Sequence, residues 1–62
     1  MNFMYDFEIE NFLRERQYAI GYKDFIYITR NSPQIDHIKY DPYNQEHEMW
    51  STDGNYFKFQ IK

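Results

Sequence analysis

A chain of 62 residues without cysteine must fold on packing alone, because disulfides and thiolate metal clusters, the usual supports of a domain this short, are both missing. What it has instead is aromatic mass: six Phe, seven Tyr and one Trp make up 23% of the residues. Each such ring can bury roughly 150–250 Å², yet a domain of this size hides only about 60% of the surface of its unfolded chain. The rings exceed what one small core can enclose. Some must lie on the surface, and which ones do so is the functional question the sequence poses.

Ten acidic residues against seven basic ones leave a formal charge of −3, the wrong sign for a protein whose affinity rests on neutralising phosphates. Direct nucleic-acid binding is disfavoured. The stretch Met1–Asp6 has no basic region and no apolar run of signal-peptide length, and the longest hydrophobic run, Phe25-Ile26-Tyr27-Ile28, is far too short to span a bilayer. The expectation is a single domain over residues 1–62, cytoplasmic and without a membrane partner. Codon chemistry adds a hint of origin: 32 of the 62 residues are Phe, Tyr, Met, Ile, Asn or Lys, whose codons are rich in A and T. That suits a low-GC bacterium, or a phage or mobile element living in one.

From Asp6 to about Ile20, apolar Ile9, Phe12, Leu13 and Ile20 recur at helical spacing. Asp6 suits the N-cap, Glu10 and Arg14 form a favourable pair four residues apart, and Gly21 suits the position just past the helix. Gln17-Tyr18-Ala19-Ile20 also reads as an extended segment leading through Gly21. Beyond it the signals become strands, at Phe25–Arg30, Ile35–Tyr40, Glu46–Trp50 and Tyr56–Ile61, separated by Asn31-Ser32-Pro33, Asp41-Pro42-Tyr43-Asn44 and Thr52-Asp53-Gly54. The expected fold is α+β: an N-terminal helix packed on one face of a four-stranded antiparallel meander.

Register can be tested on paper, because a one-residue slip moves every side chain to the opposite face. A three-residue loop with Gly54 left-handed sets Trp50 against Tyr56, Met49 against Phe57, Glu48 against Lys58 and His47 against Phe59. By the same reasoning Lys39 meets Glu46, His37 meets Glu48, and Ile28 meets Ile38. One face then carries Ile26, Ile28, Ile38, Tyr40, His47, Met49, Phe57, Phe59 and Ile61 toward the helix. The other carries Phe25, Tyr27, His37, Lys39, Glu46, Glu48, Trp50, Tyr56 and Lys58, aromatic anchors among polar neighbours, and has the composition of a recognition surface. Cross-strand support of the sheet is the plainer role for the same rings.

Other chemistries find less support. His37 and His47 point to opposite faces and cannot share a metal ion. There is no cysteine nucleophile and no Gly-rich phosphate loop, and Glu46 and Glu48 each face a basic partner, so neither an enzyme nor a cofactor is expected. Two alternatives to protein binding stand. Asp6, Glu8, Glu10 and Glu15 on the helix offer an acidic mimic of nucleic acid, and the aromatic face offers a stacking platform for single strands, although its two Lys are offset by two Glu. The favoured reading is a non-enzymatic module that binds and modulates a host factor, such as a nuclease or defence complex, in the manner of a phage-encoded anti-CRISPR protein. The last strand is expected to form an open edge guarded by Lys58 and Lys62, which leaves a homodimer open.

Overall fold

The computed structural model describes residues 3–62; Met1 and Asn2, the first positions of the N-terminal stretch considered above, lie outside the described residues. The elements run α1 (Asp6–Glu15), β1 (Ala19–Ile20), α2 (Tyr22–Asn31), β2 (Ile35–Asp41), β3 (Glu46–Ser51) and β4 (Tyr56–Ile61). The α+β class is as expected, but the antiparallel meander is not: the sheet order is β1-β4-β3-β2 and β1 runs parallel to β4. Among the described residues, no helix is long and apolar enough to cross a membrane.

Helix α1 forms on the expected stripe, with Ile9 and Leu13 fully buried and Phe12 packed beside them. Tyr5, not Asp6, is its N-cap. The Glu8 carboxylate reaches back to accept from the Tyr5 N–H at 3.4 Å, which frees the Asp6 carboxylate for a long-range task. Asp6 accepts from the Ser51 hydroxyl at 2.8 Å and from the Asn55 side-chain amide, and so ties the first helical turn to the loop between β3 and β4.

The helix stops well short of Ile20 because Gln17 and Tyr18 adopt left-handed conformations, with φ of 55° and 59°. Their N–H groups close back on the carbonyls of Arg14 and Leu13, ending the helix as a glycine would. The chain emerges extended for Ala19–Ile20 only, alongside Gln60 and Ile61. Gly21, expected just beyond the first helix, is the N-cap of the second.

Helix α2 replaces the predicted strand Phe25–Arg30. Alternating β-branched and aromatic residues favour a strand, yet Phe25 and Ile28, three apart, share one helical face and join the core. Local bonds offset the poor helix propensity: the Thr29 hydroxyl donates to the Ile26 carbonyl at 3.0 Å, and the Asn31 amide to that of Tyr27 at 2.8 Å. Arg16 joins the two helices, with its guanidinium carbon 3.5 Å from the centre of the Phe12 ring and its Nε 3.5 Å from Asp24.

The β3–β4 hairpin has the predicted register, with Trp50 opposite Tyr56 and Glu48 opposite Lys58, and Gly54 is left-handed at φ 86°. The β2–β3 hairpin is displaced by two residues: Lys39 meets Glu48, and His37 meets Trp50. Its loop is Pro42–Gln45, as long as the expected turn but one residue further along, held by Asp41, which accepts from the Tyr43 N–H and the Asn44 amide, each at 3.0 Å. These bonds stabilise the carboxylate and lower the Asp41 pKa, that of Asn44 most. A register irregularity between Ile35 and His37 turns both Ile35 and Ile38 inward despite their odd spacing.

The core is one cluster of Met4, Ile9, Leu13, Ile20, Ile28, Met49, Phe57 and Phe59. Both helices reach it from the same side of the sheet. Phe57 and Phe59 are its only aromatic members; Tyr40, expected inside, sits at the rim with half its surface exposed, against His47 at 4.8 Å.

A left-handed conformation costs a non-glycine residue about 1–2 kcal/mol, and the exposed Gln17 side chain makes no hydrogen bond that offsets it. Gln17→Gly is expected to match or exceed the parent by up to about 1 kcal/mol in urea unfolding, whereas Gln17→Val loses about 1–2 kcal/mol. The opposite order would show that the turn does not hold this conformation.

Candidate functional site

Because the helices cover only one side, the opposite sheet face is bare, and period-two alternation decides what stands on it. His37, Lys39, Glu46, Glu48, Trp50, Tyr56 and Lys58, seven of the nine residues predicted to share this face, do so. Phe25 and Tyr27 do not. With α2 in place of a strand, Phe25 packs inward against His47 and Phe59, at 5.4 and 5.9 Å between ring centres, and Tyr27 stands half exposed on α2.

The displaced register changes the partnerships on the face. His37, no longer opposite Glu48, lies flat on Trp50 at 4.4 Å and 12°, while its Nδ1 donates to Asp36 at 2.8 Å. Trp50 in turn meets Tyr56 at 5.2 Å. Three rings from three strands thus form one continuous row. Glu48 accepts from the Tyr56 hydroxyl at 3.0 Å, and Lys58 pairs diagonally with Glu46 at 3.3 Å although it stands opposite Glu48. The hydrogen bond and charge of Glu46 raise the Lys58 pKa. Tyr56 is raised too, first by partial desolvation and then by Glu48.

The face is aromatic along its centre and electrically balanced at its flanks. It offers no surplus positive charge to hold a phosphate backbone, and no open carboxylate pair for acid–base work, since both glutamates are engaged. His47 occupies the inner face, stacked on Phe59 at 5.8 Å and 14°, and its buried Nδ1 has no protein partner.

The acidic residues of α1 do not form a row of free carboxylates. Asp6 holds Ser51 and Asn55, Glu8 caps the helix, and Glu10 binds both Arg14 and the Tyr18 hydroxyl, at 3.2 and 2.6 Å. Only Glu15 is largely free, 3.9 Å from Arg16.

One feature was beyond sequence reasoning: a cleft of about 760 Å³ between α1 and the start of β4, lined by Asp6, Glu10, Arg14, Asn55, Tyr56 and Phe57 among others. It depends on β1 being only two residues long. Comparison of the chain with protein-family models, curated proteins and solved structures finds no match.

If Glu48 holds the Tyr56 phenol as the geometry requires, Glu48→Gln lowers the Tyr56 titration midpoint toward the ordinary tyrosine value near 10. Selective ¹³Cζ labelling of tyrosine reads this directly, and an unchanged Tyr56 midpoint would contradict the contact.

Proposed function

We propose that the protein is a non-enzymatic binding module that engages a partner protein through the bare sheet face, with the row His37–Trp50–Tyr56 as its anchor. The observation that supports this reading is the row itself, laid across three strands on the side that no helix covers. Trp and Tyr are the side chains most often found at energetic centres of interfaces, because each offers a large apolar area together with a polar handle. Here they are flanked by paired charges, Lys58 with Glu46 and Tyr56 with Glu48, which suits a mixed protein surface better than a polyanion.

The AT-rich composition supports the narrower version, a phage or mobile-element product that modulates a host nuclease or defence complex. The acidic-mimic reading has weaker support, because three of its four carboxylates are engaged within the chain. A single-strand platform lacks the basic groove that such sites use.

The test is a partner recovered by co-purification from a low-GC bacterial lysate and then titrated by calorimetry against variants. Trp50→Ala is expected to weaken binding by at least about 2 kcal/mol, roughly thirtyfold, and Tyr56→Ala by about 1 kcal/mol or more. Circular dichroism of both variants should match the parent. Folded variants that bind with parental affinity would refute the proposal.

A further inference from the structure

The bare face is not the only unpartnered feature of the sheet. In the β3–β4 ladder the Ser51 N–H donates to the Asn55 carbonyl, so by antiparallel alternation Phe57 and Phe59 also bond toward β3, and Tyr56, Lys58 and Gln60 turn their backbone groups the other way. On that other side Gln60 and Lys62 donate to the carbonyls of Tyr18 and Ile20. A longer β1 would continue by offering the Tyr18 N–H to the Lys58 carbonyl. Instead the left-handed turn takes that N–H to Leu13 at 2.8 Å. The N–H and C=O groups of Tyr56 and Lys58 are left facing a space that no strand of the described residues fills.

That space is the cleft beside α1. Its far wall carries the exposed rings of Tyr5 and Phe7, and a second hollow continues it past Lys58 to Tyr18. Glu10, Tyr56 and Phe57 line both, so the two form one groove along the β4 edge. The charge within it is net negative: Glu10 is paired with Arg14 and Glu46 with Lys58, and the carboxylates of Asp6 and Asp53 have no cation beside them in the lining. The other sheet edge, β2, is blunted by its irregularity at Asp36 and by exposed Lys39.

We propose that the β4 edge over Tyr56–Lys58 is a strand-addition site that takes an extended, lysine- or arginine-bearing segment of a partner polypeptide. Four backbone groups would hold the incoming strand, the rings of Tyr5 and Phe7 would cover its apolar side chains, and the carboxylate surplus selects a basic sequence. The same surplus opposes a second copy of this chain, whose net charge is −3. This edge shares Tyr56, Lys58 and Glu46 with the sheet face but binds through backbone groups, so it stands or falls without the His37–Trp50–Tyr56 row.

The test is amide hydrogen exchange by NMR with two capped synthetic hexapeptides, Lys-Val-Lys-Tyr-Lys-Val and its counterpart with Glu at each Lys. In the free protein the Tyr56 and Lys58 amides should exchange fast; the basic peptide should slow both at least about tenfold, and the acidic one should not. Lys58→Pro, which removes an edge-facing N–H at a position where strands tolerate proline, should abolish the effect. Lys58→Gln and Trp50→Ala should keep it. Slow Tyr56 and Lys58 amides in the free protein, equal protection by both peptides, protection confined to β2, or protection that rises with protein concentration alone would each overturn the proposal. The wild-type exchange data decide it even if Lys58→Pro fails to fold.

Discussion

The buried apolar side chains form one cluster against a single face of the sheet, and the rest of the molecule follows from that one-sidedness. With no disulfide to constrain the unfolded chain, the eight residues from Met4 to Phe59 that make up this cluster are its main source of stability. Two ten-residue helices are enough to cover one side of a four-stranded sheet, and among the described residues no further element covers the other. A bare aromatic face is therefore the consequence of a small chain that commits both helices to the same side.

The long-range polar contacts serve that arrangement. Asp6 fastens the start of α1 to Ser51 and Asn55, and Arg16 fastens its end to α2 through Asp24. Between them Gln17 and Tyr18 take a strained left-handed turn, which lets a two-residue strand join β4 in parallel and brings residues of both helices into one core. The brevity of β1 has a second result, since it leaves part of the β4 edge uncovered beside α1. The turn that completes the core is thus also the origin of the groove.

Much of this was legible in the sequence, for identifiable reasons. Asp53-Gly54 and the flanking pairs of charge and bulk left one sensible register for β3 and β4. Seven of the nine face residues survived a two-residue displacement of β2 because alternation has a period of two: the partners changed and the face did not. Residues 22–31 misled because Phe-Ile-Tyr-Ile-Thr alternates like a strand. The helical signals there, Gly21 before the segment, Asp24 in its first turn and Arg30 in its last, are weak beside that pattern, and contact with the core decides. The β2–β3 loop was placed one residue early because Asp41 suits the first position of a turn as well as the last position of the strand, from which it holds Tyr43 and Asn44. The extended reading of Gln17–Ile20 anticipated β1, but nothing local shows that it is two residues long or that it pairs in parallel with a strand about forty residues away, so the groove could not be seen before the fold.

The sheet has one dry face and one wet one. Paramagnetic relaxation by a soluble, uncharged probe, read on side-chain NMR signals of dilute protein, tests it most directly. Strong broadening is predicted for the rings of His37, Trp50 and Tyr56, with the Met49 methyl and the rings of Phe57 and Phe59 spared. Protection of Trp50 and Tyr56 equal to that of Phe57 and Phe59 would contradict it, because the face read as bare would then be covered.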